Sequence, residues 1–277
     1  MTSARRALEA ECRPMVLGKY LYCIIRCSEE RIFEGVPAIG GPDLPVHTVP
    51  WGELAAVVSD SPVERYEATR HNLVSHERVI EAVMPEQTPL PVRFGTIAEP
   101  GKGAGAVANI QKLLEQRAAE FDRLLREMEG RVELGLKAFW RSENLVFDEI
   151  VAKDERIRTL RDALQRASGG ASQAARIQLG EMVKAALARK REAEAARILA
   201  PLRLIAERVT ENPVLLDRMI VNSAFLVRRD REAEFDRPVA ALDRERGEQI
   251  RLMYVGPVAP YNFVRIVVNW DQAPAPR

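Results

Sequence analysis

The sequence predicts an α+β fold, with a ferredoxin-like N-terminal domain followed by an α+β C-terminal domain that contains a long helical hairpin. Two patterns indicate this. Segments rich in β-branched and aromatic residues come early, at residues 20–27, 46–49 and 54–59. Segments with apolar residues every three or four positions are interleaved with strands and dominate the second half. A length of 277 residues also suits two domains better than one.

The N-terminal domain is predicted over residues 16–140, after a flexible leader at residues 1–15. A helix, a strand, a single long helix and a strand follow the first three strands, at residues 72–84, 89–97, 107–128 and 132–139. Pro85 is expected to stop the first helix and Gly130 the second. This order is close to a ferredoxin-like sandwich with an altered first connection, and it places a domain boundary near Trp140.

The C-terminal domain is predicted over residues 141–270. Helical spacing of apolar residues indicates two antiparallel helices over about residues 143–208, joined by a turn at residues 168–170. Pro201 is expected to kink or restart the second helix, whose spacing continues to Val209. A strand, a helix and a strand then follow, at residues 223–228, 231–246 and 250–255. The tail, residues 271–277, is expected to be disordered.

Charge and cysteine content restrict the possible partners and compartment. Lys and Arg number 41 against 40 Asp and Glu, so the net charge of +1 provides no general attraction for nucleic acid. Cys12, Cys23 and Cys27 are odd in number and lack a Cys-x-x-Cys spacing, which is typical of reduced thiols in a cytoplasmic protein. No apolar run reaches the ~18 residues that a membrane span needs, so we expect no membrane insertion.

Motifs for catalysis, cofactors and metals are weak. Residues 101–105 are rich in glycine, but the lysine comes too early for a P-loop and no hydroxyl residue follows it. His71 and His76 diverge by roughly 140° on a helix, so they cannot hold one metal as an i, i+4 pair can. A half-buried polar contact is the favoured role for His76. The sequence therefore predicts a protein that is not an enzyme and has no cofactor or metal.

Arg93 and nearby aromatic residues are the candidate binding residues. On an extended strand, Arg93 would share its face with the small residues Pro91 and Gly95. One interpretation is a structural arginine paired with a carboxylate, and another is an anion site. The third is a partner contact made together with Phe94, because arginine and aromatic residues dominate binding hot spots. The cluster Tyr254, Tyr261, Phe263 and Trp270 is either a core anchor or a partner surface.

Six short motifs carry a resemblance to a known family. In chain order they are Tyr20-Leu21-Tyr22, residues 56–60 (AVVSD), His76-Glu77, residues 90–96 (LPVRFGT), residues 132–137 (VELGLK) and residues 224–227 (AFLV). Together they resemble the gas vesicle protein GvpL/GvpF family. The family's C-terminal Gly-Pro-Trp-Pro-Pro-Tyr pattern is altered here, because Val258 and Ala259 replace its middle.

The resemblance implies an accessory or minor structural protein of gas vesicles, found in the cytoplasm and at the vesicle. Its implied partners are the very hydrophobic shell protein GvpA and other accessory Gvp proteins. On this basis Arg93, Phe94, Tyr261 and Phe263 are the predicted partner-binding residues. The alternative is a small-molecule or RNA-binding regulatory module on a ferredoxin-like fold, although the chain lacks the aromatic platform of RNA-binding sheets.

Overall fold

The protein divides into two compact units. The first comprises Met1–Gly130 and Val258–Arg277, and the second comprises Arg131–Pro257. The structure is a computed structural model and describes residues 17–41, 43–101, 105–167, 173–268 and 270. The predicted leader, most of the glycine-rich segment, the turn at residues 168–170 and the predicted tail therefore lie outside the described residues.

The first unit is built on an antiparallel sheet. Its strands are β1 (Leu17–Arg26), β2 (Ile32–Phe33), β3 (Val46–Trp51), β4 (Leu54–Pro62), β5 (Leu90–Pro91) and β6 (Ile97–Ala98). Their order is β2-β3-β4-β1-β5, and β6 also pairs with β1. The central strand β1 pairs with β4 along its whole length and is buried over most of it, as its β-branched and aromatic sequence predicts.

The helices of the first unit bury one face each. They are α1 (Arg70–Val83), α2 (Ala106–Gln116) and α3 (Ala118–Met128). The Thr69 hydroxyl caps α1 by accepting a hydrogen bond from the Asn72 amide (3.2 Å). The single helix predicted over residues 107–128 is instead two, because Arg117 leaves the helical conformation between them. Gly130, with φ of 68°, follows α3 at the predicted position.

The strand predicted over residues 89–97 is wrong. β5 and β6 are extended there, Val92 forms an isolated bridge, and a turn at Phe94 and Gly95 separates the two strands. Gly95 has φ of 79°, a conformation that a strand residue with a side chain rarely adopts. The turn takes Arg93 and Phe94 out of the sheet, so strict alternation no longer decides where their side chains point.

The second unit contains a separate antiparallel sheet, with strand order β10-β7-β9-β8. Its strands are β7 (Arg131–Trp140), β8 (Arg208–Glu211), β9 (Met219–Arg228) and β10 (Ile250–Val258). β7 pairs with β9 from end to end, so it belongs to this unit and the chain divides after Gly130 instead of near Trp140. The first sheet therefore lacks the last strand assigned to it, and its ferredoxin-like arrangement is not confirmed.

The described residues of the second unit also form four α-helices, α4 (Glu143–Lys153), α5 (Glu155–Arg166), α6 (Gln173–Arg203) and α7 (Glu232–Arg246), and a 3-10 helix at Arg229–Arg231. α6 contacts α4, α5 and α7, but the predicted hairpin stays a prediction because the connection into α6 is not described. α6 continues through Pro201 and ends at Arg203, and Val209 lies in β8 and not in a helix. Within the described ranges, no helix has both the length and the apolar character to cross a membrane.

The two described cysteines are free. Cys23 is fully buried in β1, and this burial raises the pKa of its thiol well above the usual value. A buried thiol with a raised pKa is a packing residue, because the thiolate is the reactive form. Cys12 lies outside the described residues.

Candidate functional site

The first unit contains a groove with a volume of about 480 Å³. Three segments line it, and we call it the groove throughout. α1 contributes Leu73, His76 and Glu77, and the turn after β5 contributes residues 91–94. The C-terminal segment contributes Tyr261 and residues 264–267.

The groove brings together three of the four predicted binding residues, Arg93, Phe94 and Tyr261. Phe263 is half-buried in the same C-terminal segment but does not line the groove. Leu73 keeps the helical spacing of the buried Ile80 and Val83, yet it is 37% exposed at the groove wall. Arg265 was not predicted as a groove residue, because nothing in the local sequence distinguishes it from other surface arginines.

The floor of the groove is fixed by backbone contacts between two distant segments. Val92 and Ile266 form an isolated parallel bridge, and the Arg93 amide donates to the Ile266 carbonyl oxygen (3.4 Å). Val92 is also tied to the sheet, since its amide donates to the Tyr22 carbonyl oxygen (2.9 Å). The Arg117 guanidinium donates to the Val267 carbonyl oxygen (3.0 Å). The apolar floor is therefore held in place before any partner binds.

His76 holds one wall of the groove through Tyr20. The Tyr20 hydroxyl lies 3.1 Å from His76 Nδ1 and accepts a hydrogen bond from the Gly95 amide (2.9 Å). The His76 ring also contacts the Phe94 ring, with 5.7 Å between centroids. Burial lowers the pKa of His76 to about 4, because it disfavours the charged imidazolium. A hydrogen bond to the Val92 backbone acts in the opposite direction and raises the pKa by a smaller amount. His76 is therefore a buried neutral residue that positions the Phe94 turn.

The rim of the groove is cationic. Arg93 and Arg265 are exposed, and among the described residues neither makes a side-chain hydrogen bond or ion pair. The interpretation of Arg93 as a structural arginine thus finds no paired carboxylate within the described ranges. Glu77 also lines the groove, and burial together with the Glu81 charge raises its pKa. Within the part of the chain that the structure describes, no group of three His, Cys, Asp or Glu side chains could hold a metal ion.

A second cavity of about 480 Å³ lies within the second unit, and we call it the cleft. Its walls come from α4, α6, α7 and the start of β10. Glu194 is buried there and pairs with Arg246 (3.2 Å) and with Arg197 (3.5 Å). In the same cleft, the Lys190 ammonium group donates a hydrogen bond to the Glu149 carboxylate (2.7 Å). This hydrogen bond holds the pKa of Glu149 below its usual value.

Known proteins resemble this chain in sequence over most of its length. Gas vesicle protein F of Streptomyces sp. (strain CB03234) is 32% identical over 250 residues, which cover 90% of this chain and 100% of the relative. Gas vesicle protein F of Microcystis aeruginosa (strain PCC 7806) is 27% identical over 255 residues, which cover 91% of this chain and 100% of the relative.

The fold is similar to a crystal structure of the gas vesicle protein GvpF from Anabaena sp. PCC7120. The TM-score is 0.74 at 26% sequence identity, covering 91% of this chain and 99% of the other. The family model described as gas vesicle synthesis protein GvpL/GvpF matches residues 18–265. These findings confirm the family that the sequence motifs predicted. The chain belongs to the GvpL/GvpF family of gas vesicle synthesis proteins.

Proposed function

We propose that this protein is an assembly factor or minor structural protein of gas vesicles that binds the shell subunit GvpA and helps to build the vesicle wall. The observation that carries the proposal is the groove, where Phe94 and Tyr261 meet Arg93 over a fixed apolar floor. The names of the relatives and of the family model support a role in gas vesicle formation. The groove supports partner binding as the way in which the protein performs that role.

A hydrophobic shell subunit needs its apolar surface covered until it joins the wall. An apolar groove with a polar rim can cover such a surface without chemistry, because burial of apolar area drives the association and the rim remains hydrated. Aromatic and arginine side chains contribute most strongly to such contacts. The groove combines both types with the exposed apolar side chains of Leu73 and Val267.

The proposal also covers the location of the protein and its further partners. We place it in the cytoplasm during assembly and at the gas vesicle afterwards, with other accessory Gvp proteins as further partners. The same groove is the place to test the alternative, a small-molecule or RNA-binding module. A ligand of that kind would occupy the groove without any shell subunit.

Co-expression with the shell subunit tests the proposal. The tagged chain is expected to keep GvpA soluble and to co-purify with it. Leu73→Ser and Val267→Ser each remove an apolar side chain that is 37% exposed, so the core is left intact. Each is expected to weaken the complex about threefold, since covering the exposed third of such a side chain stabilises a contact by about 0.6 kcal/mol or more.

Leu17→Ser is the matched control, because Leu17 is 51% exposed on β1 and lies outside the groove. This variant is expected to co-purify GvpA as well as the unchanged chain does. The proposal fails if GvpA aggregates equally with and without the chain. It also fails if the groove variants retain the subunit as well as the control.

A further inference from the structure

Arg93 and Arg265 adjoin the two residues that form the bridge at the groove floor. Val92 and Ile266 are bridge partners and both are buried. Arg93 follows Val92 and Arg265 precedes Ile266, and both are exposed residues that line the groove. The bridge therefore brings two exposed cations to the groove, beside its apolar floor.

The other charged groups of the groove do not neutralise this pair. Glu77 is the acidic residue that lines the groove, and no oxygen of Glu77 lies within 4 Å of either guanidinium. His76 is neutral near pH 7. Two guanidinium cations and one carboxylate leave a local charge of about +1. Other arginines of the first unit do have carboxylate partners, since Arg26 pairs with Asp122 (2.7 Å) and Arg31 with Glu86 (2.6 Å).

We infer that the groove recognises an apolar protein segment that carries one aspartate or glutamate side chain, with its carboxylate bound by Arg93 and Arg265. This inference rests on the proposed partner-binding function and names the chemistry of the partner. The planar guanidinium fork matches a carboxylate through two parallel hydrogen bonds. The flanking apolar residues of the segment would cover Leu73, Phe94 and Val267.

A protein segment fits the groove better than a nucleic acid does. A polyanion would need a broad positive field, whereas the whole chain has a net charge of +1 and Glu77 stands in the groove wall. A single carboxylate among apolar side chains matches both the limited positive charge and the apolar floor.

A displayed library of random nonapeptides, sorted for binding to the full chain, provides the probe. Peptides that bind the unchanged chain but not the Leu73→Ser variant are expected to contain one acidic residue between apolar residues. One such peptide is then synthesised with blocked ends in its glutamate form and its glutamine form. Fluorescence anisotropy measures the affinity of each, with an uncharged dye as the label.

The glutamate form is expected to bind about fivefold more tightly than the glutamine form. Arg93→Gln and Arg265→Gln are each expected to reduce that preference. Arg78→Gln is the matched control, because Arg78 is exposed on α1, has no ion pair among the described residues and lies outside the groove. It is expected to leave the preference unchanged.

The inference is overturned by a library without groove-dependent binders, by equal affinity for the two peptide forms, or by an equal loss of preference in the Arg78→Gln control. A dimer of the chain that dissociates on Arg93→Gln would also overturn it, since the occupant would be a second copy. A glutamate preference without GvpA co-purification would instead reject only the proposed shell partner.

Discussion

The groove of the first unit and the cleft of the second have the same volume, about 480 Å³, but opposite charge arrangements. In the cleft, the buried Glu194 pairs with Arg246 and Arg197. In the groove, Arg93 and Arg265 have no ion pair among the described residues. The comparison teaches that two cavities of equal size can differ in charge pairing, and the proposal of partner binding rests on this difference as well as on the fixed apolar floor of the groove.

Local structure explains the difference. The cleft charges lie on α6 and α7, where long side chains from facing helices can meet. The groove arginines lie on short irregular segments that are held by backbone hydrogen bonds and by the Tyr20 and His76 contact. Ion pairs thus stabilise the cleft, whereas hydrogen bonds to the backbone and the Tyr20 and His76 contact stabilise the groove. Substitutions that remove the ion pairs of the cleft, or the contacts that hold the groove, test this explanation separately.

The largest expected effect comes from protonating His76 in the groove wall. Its pKa is about 4 in the folded chain against 6.5 for the unperturbed group, so the unfolded chain takes up the proton first as the pH falls. The contribution to stability is complete above pH 6.5 and is lost as the pH falls toward 4. Between these values the free energy of unfolding should fall by about 3 kcal/mol through His76.

Urea unfolding at several pH values measures this loss. His76→Gln is expected to lower stability at pH 7 and to flatten the dependence between pH 6.5 and 4. Carboxylates such as Glu77 and Glu120 titrate in both chains, so the difference between the two profiles isolates His76. Parallel profiles would show that His76 does not hold the wall in its neutral form.

An intermediate effect is expected from removing the central charge of the cleft. Glu194→Gln keeps the side-chain size but leaves Arg246 without its carboxylate partner. The Glu194 side chain is 8% exposed and that of Arg246 is 31% exposed, so the loss should be about 2 kcal/mol, below that of a fully buried pair. Urea unfolding at pH 7 measures it.

The exposed Glu192 offers a control on the same helix. Glu192→Gln should change the free energy of unfolding by less than about 0.5 kcal/mol. Similar values for the two variants would remove the contrast between a charge-stabilised cleft and an uncharged groove.

The smallest effect concerns the turn that carries Phe94. Gly95 has φ of 79° and open space around its Cβ position, so Gly95→Ala tests backbone conformation alone. The expected loss is about 1 kcal/mol. Gly180 also has open space but lies in α6, so Gly180→Ala should instead stabilise the chain by about 0.5–1 kcal/mol. Thermal unfolding compares the two, and equal signs would contradict the account.

The fold was predictable where residue pattern and structure agree locally. The run at residues 20–27 predicted β1, and the apolar spacing around Phe235 and Val239 predicted α7. Spacing could not reveal the break at Arg117, because the apolar positions keep the same period in α2 and α3. It also misled at Val209, which continues the α6 spacing but pairs with Phe225 in the sheet.

The site was predictable in part, for a different reason. The motif around Arg93 and Phe94 and the residue Tyr261 drew attention through family resemblance, and the structure places all three in the groove. Arg265 was missed because its position depends on the bridge between Val92 and Ile266, which are far apart in sequence. Local pattern does not encode such a pairing, so the unpaired arginines emerged only with the structure.

Hydrogen exchange of the chain alone and in complex with the shell subunit tests the central claim most directly. We expect binding to slow amide exchange in the groove segments, residues 70–77, 90–96 and 261–268, and to leave the cleft segments 142–152 and 246–250 unchanged. Slower exchange at the cleft with no change at the groove would contradict the claim that the groove is the partner-binding surface.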